Sequence, residues 1–392
     1  MKIIIQKFGG TSLSTHERRI MAVEKVSAAI LEGFSPVVVV SAMGRIGDFY
    51  ATDTLLSLVN ENLKKKAPYA VDLLLSCGET ISTVIMCNEL LNKDIVSYPL
   101  MGGQAGIITD CKFNEADIQK VDTERILKLI KENKVPVIAG FQGMNEEGYI
   151  TTLGRGGSDV TASLLGVALK AEKIEIYTDV DGIMTADPRI VSEASLIEEM
   201  NYNEVFQFAD QGAKVIHPRA VSIAMMENVP LIVKNTFSDK QGTLIHNNKV
   251  TRKVVTGITH ISKRVQVKVT HSTVDDSLLD NLAIGNISID LINIFPKDKV
   301  FTIDEDDLEN FKVIMENTKE SYTYIDNCCK IAIIGSGMKG IPGVMARIFR
   351  ALNAENIEIL QSSDSYTTIW VLTRNVDVKR AINSLHKIFE LG

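Results

Sequence analysis

Residues 37–40 are four consecutive valines between Pro36 and Ser41, so a strand formed there offers no polar side chain to water on either face. Such a run belongs in a parallel sheet covered by helices on both sides. Similar apolar runs return at Val135-Pro136-Val137-Ile138-Ala139-Gly140 and at Ile174-Glu175-Ile176-Tyr177-Thr178-Asp179, with helical stretches around 53–66, 79–92, 122–133 and 159–170 between them. Residues 2–8 form one more apolar strand, which runs into Gly9-Gly10. A helix is predicted next, because Ser14 and Glu17 have capping-box spacing and Ile20, Val23, Val26 and Ile30 recur at helical intervals before Gly33. Strands alternating with helices predict an α/β sheet with helices on both faces.

At 392 residues the chain is long enough for two or three domains. Hydrophobic residues make up 45% and charged residues 23% of it, the balance of a folded soluble protein. A formal charge of -7 excludes a general nucleic-acid surface, so a phosphate-bearing ligand needs a local site. The three isoleucines at the start are too few for a signal peptide, and no apolar window is expected to span a membrane. Cys77, Cys87, Cys111, Cys328 and Cys329 include no C-x-x-C pair and no histidine at metal-ligand spacing, which predicts buried thiols in a reducing cytoplasm and no metal ligands.

The chain changes character near residue 240, where Asp239-Lys240-Gln241-Gly242-Thr243 and the polar stretch 246–253 mark the exit from a first domain. Two weakly similar units follow. One runs from Gly257 to about Asn327, with strands expected at 265–269 and 287–291. The other starts at Cys329, with a helix over 344–355 and strands at 357–361 and 367–372. Each has the element order of a βαββαβ module.

Lys7-Phe8-Gly9-Gly10-Thr11-Ser12 puts a cation at a strand end, then two residues without side chains, then two hydroxyls ahead of a helix. Backbone N–H groups there can approach an anion closely, which makes the segment a phosphate cradle. It is not a Walker A loop, because the lysine precedes the glycines. Gly154-Arg155-Gly156-Gly157-Ser158-Asp159 is a second glycine-rich turn, whose flanking glycines let the arginine fork reach a carboxylate. Asp159 suits two roles, helix N-cap or catalytic group. Glu79, in Ser76-Cys77-Gly78-Glu79-Thr80, is predicted to begin a helix, where it either complements the dipole or pairs with a substrate ammonium. Thr178 and Asp179 end a strand, the place where open α/β sheets hold ligands. Gly335-Ser336-Gly337-Met338-Lys339-Gly340 matches a dinucleotide fingerprint, but too little chain follows it for that fold.

Together these segments resemble the aspartate kinases of the amino acid kinase family. The resemblance rests on KFGGTS from Lys7, VVVVSAMG from Val37, SCGETIS from Ser76, QAGIIT from Gln104, TTLGRGGSD from Thr151, YTDVDGIMTADPRIV from Tyr177 and GAKVIHPRAV from Gly212. It implies a three-layer amino acid kinase sandwich with a mainly parallel sheet over residues 1–245. Two ferredoxin-like ACT modules are implied over 255–327 and 328–392. It implies ATP with Mg²⁺ as phosphoryl donor and L-aspartate as acceptor. Lys7, Gly10 and Asp159 are then catalytic. Lys7, Phe8, Gly9, Gly10, Thr178, Asp179, Arg189 and Lys214 contact the nucleotide, and Ser41, Thr52, Glu79 and Arg155 bind aspartate. Thr52 takes its place only after an insertion at 44–51, longer than the usual family loop. The Gly340-Ile341-Pro342-Gly343 and Ile359-Leu360-Gln361-Ser362-Ser363-Asp364 segments are close to those of the Bacillus-type, diaminopimelate-responsive members. An effector (lysine, threonine or diaminopimelate) and a homodimer or larger assembly formed by ACT pairing are implied likewise. Two rivals stand beside this: a kinase of the same fold acting on acetylglutamate, glutamate or UMP, disfavoured by the doubled tail, and a non-catalytic sensor, disfavoured by intact Lys7, Arg155 and Asp159.

Overall fold

The computed structural model describes the chain except residues 214, 249–252, 271–276, 317, 319 and 339. Two compact units account for it. The first holds residues 1–183, 196–210 and 214–250, and the second holds 184–195, 211–213 and 251–392.

An eight-stranded sheet organises the first unit, in the order Glu199–Asn201, Thr243–His246, Leu231–Asn235, Lys173–Thr178, Ile3–Phe8, Ser35–Val40, Val135–Ala139 and Ser97–Leu100. Neighbours run parallel except Leu231–Asn235 against Thr243–His246. The valine strand lies in the interior of the sheet, with a parallel neighbour on each side, and is buried from Val37 to Val40, as a run with two apolar faces requires. Alternation gives each face its own helices. Phe8, Val38 and Val40 pack with Val23 and Val26 of the helix His16–Leu31 and with Met86 and Leu90 of Pro68–Leu91. Ile5, on the opposite face, lies against Gly166 of the helix Gly157–Ala168, where a Cβ would stand 2.4 Å from Ile174. A smaller sheet, Ile118–Val121, Ile107–Thr109, Gln142–Asn145 and Ile150–Thr152, leads into the second glycine turn.

Local predictions shift in three places. The helix expected from Ser14 starts at His16, with Thr15 as the cap accepting from the Arg18 N–H at 3.4 Å. Glu79 does not begin a helix but sits well inside Pro68–Leu91, because Gly78 is a site of close approach rather than a break. A Cβ on Gly78 would lie 2.8 Å from both Ala42 and the Tyr50 carbonyl. The same helix is long and apolar enough to cross a membrane, against expectation, yet half of its most apolar window is buried in the unit with Asp72, Glu79 and Glu89. It is a core helix.

The second unit is built on six antiparallel strands in the order Asp290–Ile294, Asp298–Asp304, Gly257–Thr270, Ser321–Ile334, Thr368–Arg374 and Gln361–Asp364. Its two central strands, each of 14 residues, change partners midway. Arg264 to Thr270 pair outward with Asp304 to Asp298, whereas Cys328 to Ile334 pair outward with Arg374 to Thr368. Gly257 to Ile261 face Ile334 to Lys330, and register shifts over 261–266 separate the halves. The stretch 257–261 therefore completes the second module, not the first, and a boundary at 255 is displaced by this exchange. The expected strands at 287–291 and 357–361 sit at Asp290–Ile294 and Gln361–Asp364. Each module has its own core, one around Phe301 and Phe311, the other around Ile331, Ile348 and Leu385.

The second unit also takes in chain expected in the first domain. Ala186 and Val191 are buried in the core with Ile331 and Leu385. The Thr185 carbonyl accepts from the Ile258 N–H at 2.8 Å, its hydroxyl meets His386 Nε2 at 3.0 Å, and Ser195 donates to the Leu391 carbonyl at 3.0 Å. Trp370 Nε1 donates to Gln211 at 2.9 Å. A division at residue 245 misses these segments, whose partners lie far along the chain.

Candidate active site

Strand ends build the cradle. The Gly9 N–H bonds the Tyr177 carbonyl at 3.1 Å, the Ser41 N–H bonds the Phe8 carbonyl at 3.1 Å, and the Gly44 N–H bonds the Gly10 carbonyl at 3.0 Å. These tie the ends of three adjacent strands around the turn. A Cβ on Gly10 would stand 2.6 Å from the Ala42 carbonyl and 2.7 Å from that of Gly44, so glycine is required there by proximity. Phe8 is fully buried and stacks on Tyr177 with ring centroids 4.9 Å apart, so its side chain belongs to the core and only its backbone lies at the turn. The Ser12 hydroxyl is spent on Thr236, 2.7 Å away.

Lys7 Nζ lies 2.7 Å from Asp159 Oδ1, with both side chains almost entirely buried. A carboxylate this close fixes where the ammonium points. Asp159 is not the N-cap: Gly156 caps the helix Gly157–Ala168, in the left-handed region at φ 68°, and Asp159 stands in the first turn. Its second oxygen accepts from the His217 N–H at 3.3 Å. Gly156 is bare of Cβ because the His217 ring occupies that space, 2.3 Å from where the Cβ would be. Burial holds the His217 imidazole below its ordinary value, against the pull of Asp159, so it is neutral at pH 7.

Arg155 precedes the same helix, exposed between Gly154 at φ 74° and Gly156. Its side chain makes no hydrogen bond or ion pair among the described residues, which leaves the fork free for a ligand. Lys7 and Arg155 thus flank one helix N-terminus.

Glu79 is 2% exposed, and one of its oxygens accepts from the Ala42 N–H at 3.2 Å. The other has no partner among the described residues. Desolvation pushes its pKa up to about 8. An unpaired buried carboxyl oxygen is costly unless a donor arrives with a ligand. Ala42 adjoins the half-buried Ser41, and Thr52 opens the short helix Thr52–Leu56 at the end of the 44–51 loop.

On the other side of the cradle, the Thr178 carbonyl accepts from the Thr236 N–H at 2.9 Å. Asp179 accepts from Thr178 Oγ1 at 3.2 Å, and its other oxygen pairs with Arg45 Nη2 at 2.6 Å. In the sequence Arg45 looks like one more residue of an insertion. Arg189 lies in the second unit, its guanidinium clamped on Asp187 at 2.7 Å. Lys214 lies outside the described residues. Among the described residues no three His, Cys, Asp or Glu side chains form a metal site.

Comparison with known proteins identifies the family. Residues 2–235 match the model of the amino acid kinase family, and residues 323–387 match that of the ACT domain. The chain is 43% identical to aspartokinase 1 of Bacillus subtilis over all of both chains. It is 37% identical to aspartokinase 2 of that organism, over 100% of this chain and 98% of the relative. Its fold superposes on Escherichia coli aspartokinase III, solved with aspartate and ADP, with a TM-score of 0.80 at 23% identity over 99% of each chain. The chain therefore belongs to the amino acid kinase family, as a monofunctional aspartokinase with C-terminal ACT domains.

Proposed function

We propose that the 1–245 region transfers the γ-phosphoryl group of ATP to the side-chain carboxylate of L-aspartate, giving 4-phospho-L-aspartate, with Lys7 and Arg155 gripping the two substrates. The observation that carries this reading is the buried Lys7–Asp159 pair at the helix whose leading turn presents Arg155. The acceptor carboxylate has a reference pKa of about 3.9, so it is already the nucleophile at pH 7 and needs no base. Catalysis then reduces to placement and to charge neutralisation along a loose transition state. The Lys7 ammonium, held by Asp159, meets the charge on the transferred group over the Gly9–Gly10 turn. Thr178 and Asp179 contact the nucleotide, which enters as its Mg²⁺ complex; the phosphates hold most of the metal's ligand positions. Phe8 contributes backbone only, and the family resemblance makes Lys214 a further nucleotide contact.

Glu79 receives the aspartate ammonium on its unpaired oxygen, while Arg155 takes the α-carboxylate in a bidentate grip and Ser41 and Thr52 border the acceptor end. Hydroxylamine trapping with ATP and Mg²⁺ tests the reaction: hydroxamate should form with aspartate and not with glutamate, acetylglutamate or UMP. Its absence with aspartate sinks the proposal.

Regulation is placed in the second module. A cavity of about 570 Å³ there is lined by Met338, Ile341, Pro342, Val344, Asp364 and Tyr366, among others. Asp364 offers a charge to an effector ammonium and the apolar residues face its stem, which suits lysine, threonine or diaminopimelate. E. coli aspartokinase III has been solved with lysine in a T-state. Pairing of ACT modules gives a homodimer or larger assembly, and ATP and aspartate place the enzyme in the cytoplasm. Inhibition assays with each effector, repeated on Asp364→Asn, test the cavity: unchanged inhibition in that variant removes it.

A further inference from the structure

Asp72 is a fully buried carboxylate with no part in the chemistry above. It lies on the helix Pro68–Leu91, about two turns before Glu79. One oxygen accepts from the Thr152 hydroxyl at 2.8 Å and the other from the Thr152 N–H at 2.8 Å, and the Asn114 N–H reaches both at 3.1 and 3.0 Å. Burial pushes its pKa up, against the hydrogen bonds from Asn114 and Thr152. Packing alone would be served by an apolar side chain of similar size.

Arg219 approaches the same backbone from the helix Pro218–Met226. Its guanidinium donates to the Leu153 carbonyl at 3.3 Å, the Ala116 carbonyl at 3.4 Å and Asp117 at 3.2 Å. The Ala116 N–H in turn bonds the Thr152 carbonyl at 2.8 Å. The two side chains thus fix residues 114, 116, 152 and 153, and the last two lead directly into Gly154-Arg155-Gly156. That turn has one bond of its own, from the Gly157 N–H to the Gly154 carbonyl at 3.1 Å, but its two glycines at positive φ carry the largest backbone entropy of any residue and the Arg155 side chain has no partner among the described residues.

We propose that Asp72 and Arg219 are positioning residues that preset the 153–156 turn, and with it the Arg155 fork, for the α-carboxylate of the amino-acid substrate. The proposal rests on the reading of Arg155 as that clamp. A fork free to wander must be ordered when substrate binds, and that cost falls on aspartate affinity rather than on phosphoryl transfer.

The test is steady-state kinetics and thermal melting on Asp72→Asn, Arg219→Gln and Arg155→Ala in the full chain. Asp72→Asn and Arg219→Gln should each raise KM for aspartate about tenfold, with kcat and KM for ATP within about twofold of the parent. Arg219→Lys should recover only part of the loss, since an ammonium cannot reach two carbonyls as the fork does. A lower Tm with an unaltered KM for aspartate in both variants means a purely structural role and overturns the proposal. If Asp72→Asn does not fold, Arg219→Gln and Thr152→Val decide on the same criterion. An unaltered KM in Arg155→Ala sinks the clamp itself. A raised KM there, with no change in the other variants, sinks the positioning role alone.

Discussion

The two glycine turns of the catalytic region use the same residue for opposite reasons. Gly9 caps the helical turn Gly10–Leu13 at φ -71°, an ordinary backbone, and Gly10 is required because two carbonyls stand where its Cβ would be. Gly154 has φ 74°, yet a Cβ there would meet nothing closer than 3.4 Å. Proximity makes the first turn rigid, as the seat proposed for a phosphoryl group needs to be. Permissive conformation makes the second a presenting arm that depends on its neighbours for shape. Damage at the first should therefore strike turnover, and damage at the second aspartate affinity.

Four variants test that division, the most disruptive first. Lys7→Ala should cut kcat by roughly a thousandfold with KM for aspartate within a few-fold, because the charge matters most as the phosphoryl group moves. An unchanged kcat in a steady-state assay removes Lys7 from the mechanism. Arg155→Ala should raise KM for aspartate by about 10- to 100-fold, the worth of a charged bidentate bond, with the smaller effect on kcat. An equal loss in kcat and no change in KM would abolish the contrast between the turns.

Glu79→Gln separates binding from stability. With its pKa near 8, wild-type Glu79 must lose a proton to meet the ammonium, so aspartate affinity should rise as pH goes from 6 toward 8. Kinetics of the Gln variant should lose that dependence. For stability the sign is the reverse. A carboxyl raised above its unfolded value keeps its proton in the folded state, so wild-type stability falls as pH climbs from about 4.5 to about 8, and the Gln variant should melt higher at pH 8. An unshifted melting curve would mean that Glu79 is not desolvated. Gly154→Ala is the mildest, costing about 1 kcal/mol of backbone strain, read as a small drop in Tm and a few-fold rise in KM for aspartate. A Gly154→Ala enzyme with lost kcat would place that turn with the first.

The parallel sheet was legible because residues 37–40 admit one environment, and the cradle because Lys7, Gly9 and Gly10 adjoin in sequence. Glu79 was found as a residue but set in the wrong place on its helix, since Gly78 reads locally as an interruption and only Ala42 and Tyr50 show why it is not. Arg45 and Asp179 meet across 134 positions, a separation that no local pattern encodes. The same holds for Ala186 and Val191, whose burial is decided by Ile331 and Leu385. Asp72 carries no signal in the sequence, because a carboxylate in a helix reads as a solvated face unless its partners at 114 and 152 are seen.

The strands Gly257–Thr270 and Ser321–Ile334 run without interruption from one regulatory module into the other. The pair is therefore a common beam: excising either module removes half of the other's central ladder, so neither survives as a separable part. A twist imposed at one end of such a beam reaches the other through peptide bonds, with no side-chain relay in between. Swapping single modules between relatives should fail at 261–266, whereas exchanging the whole 257–392 span keeps the beam intact.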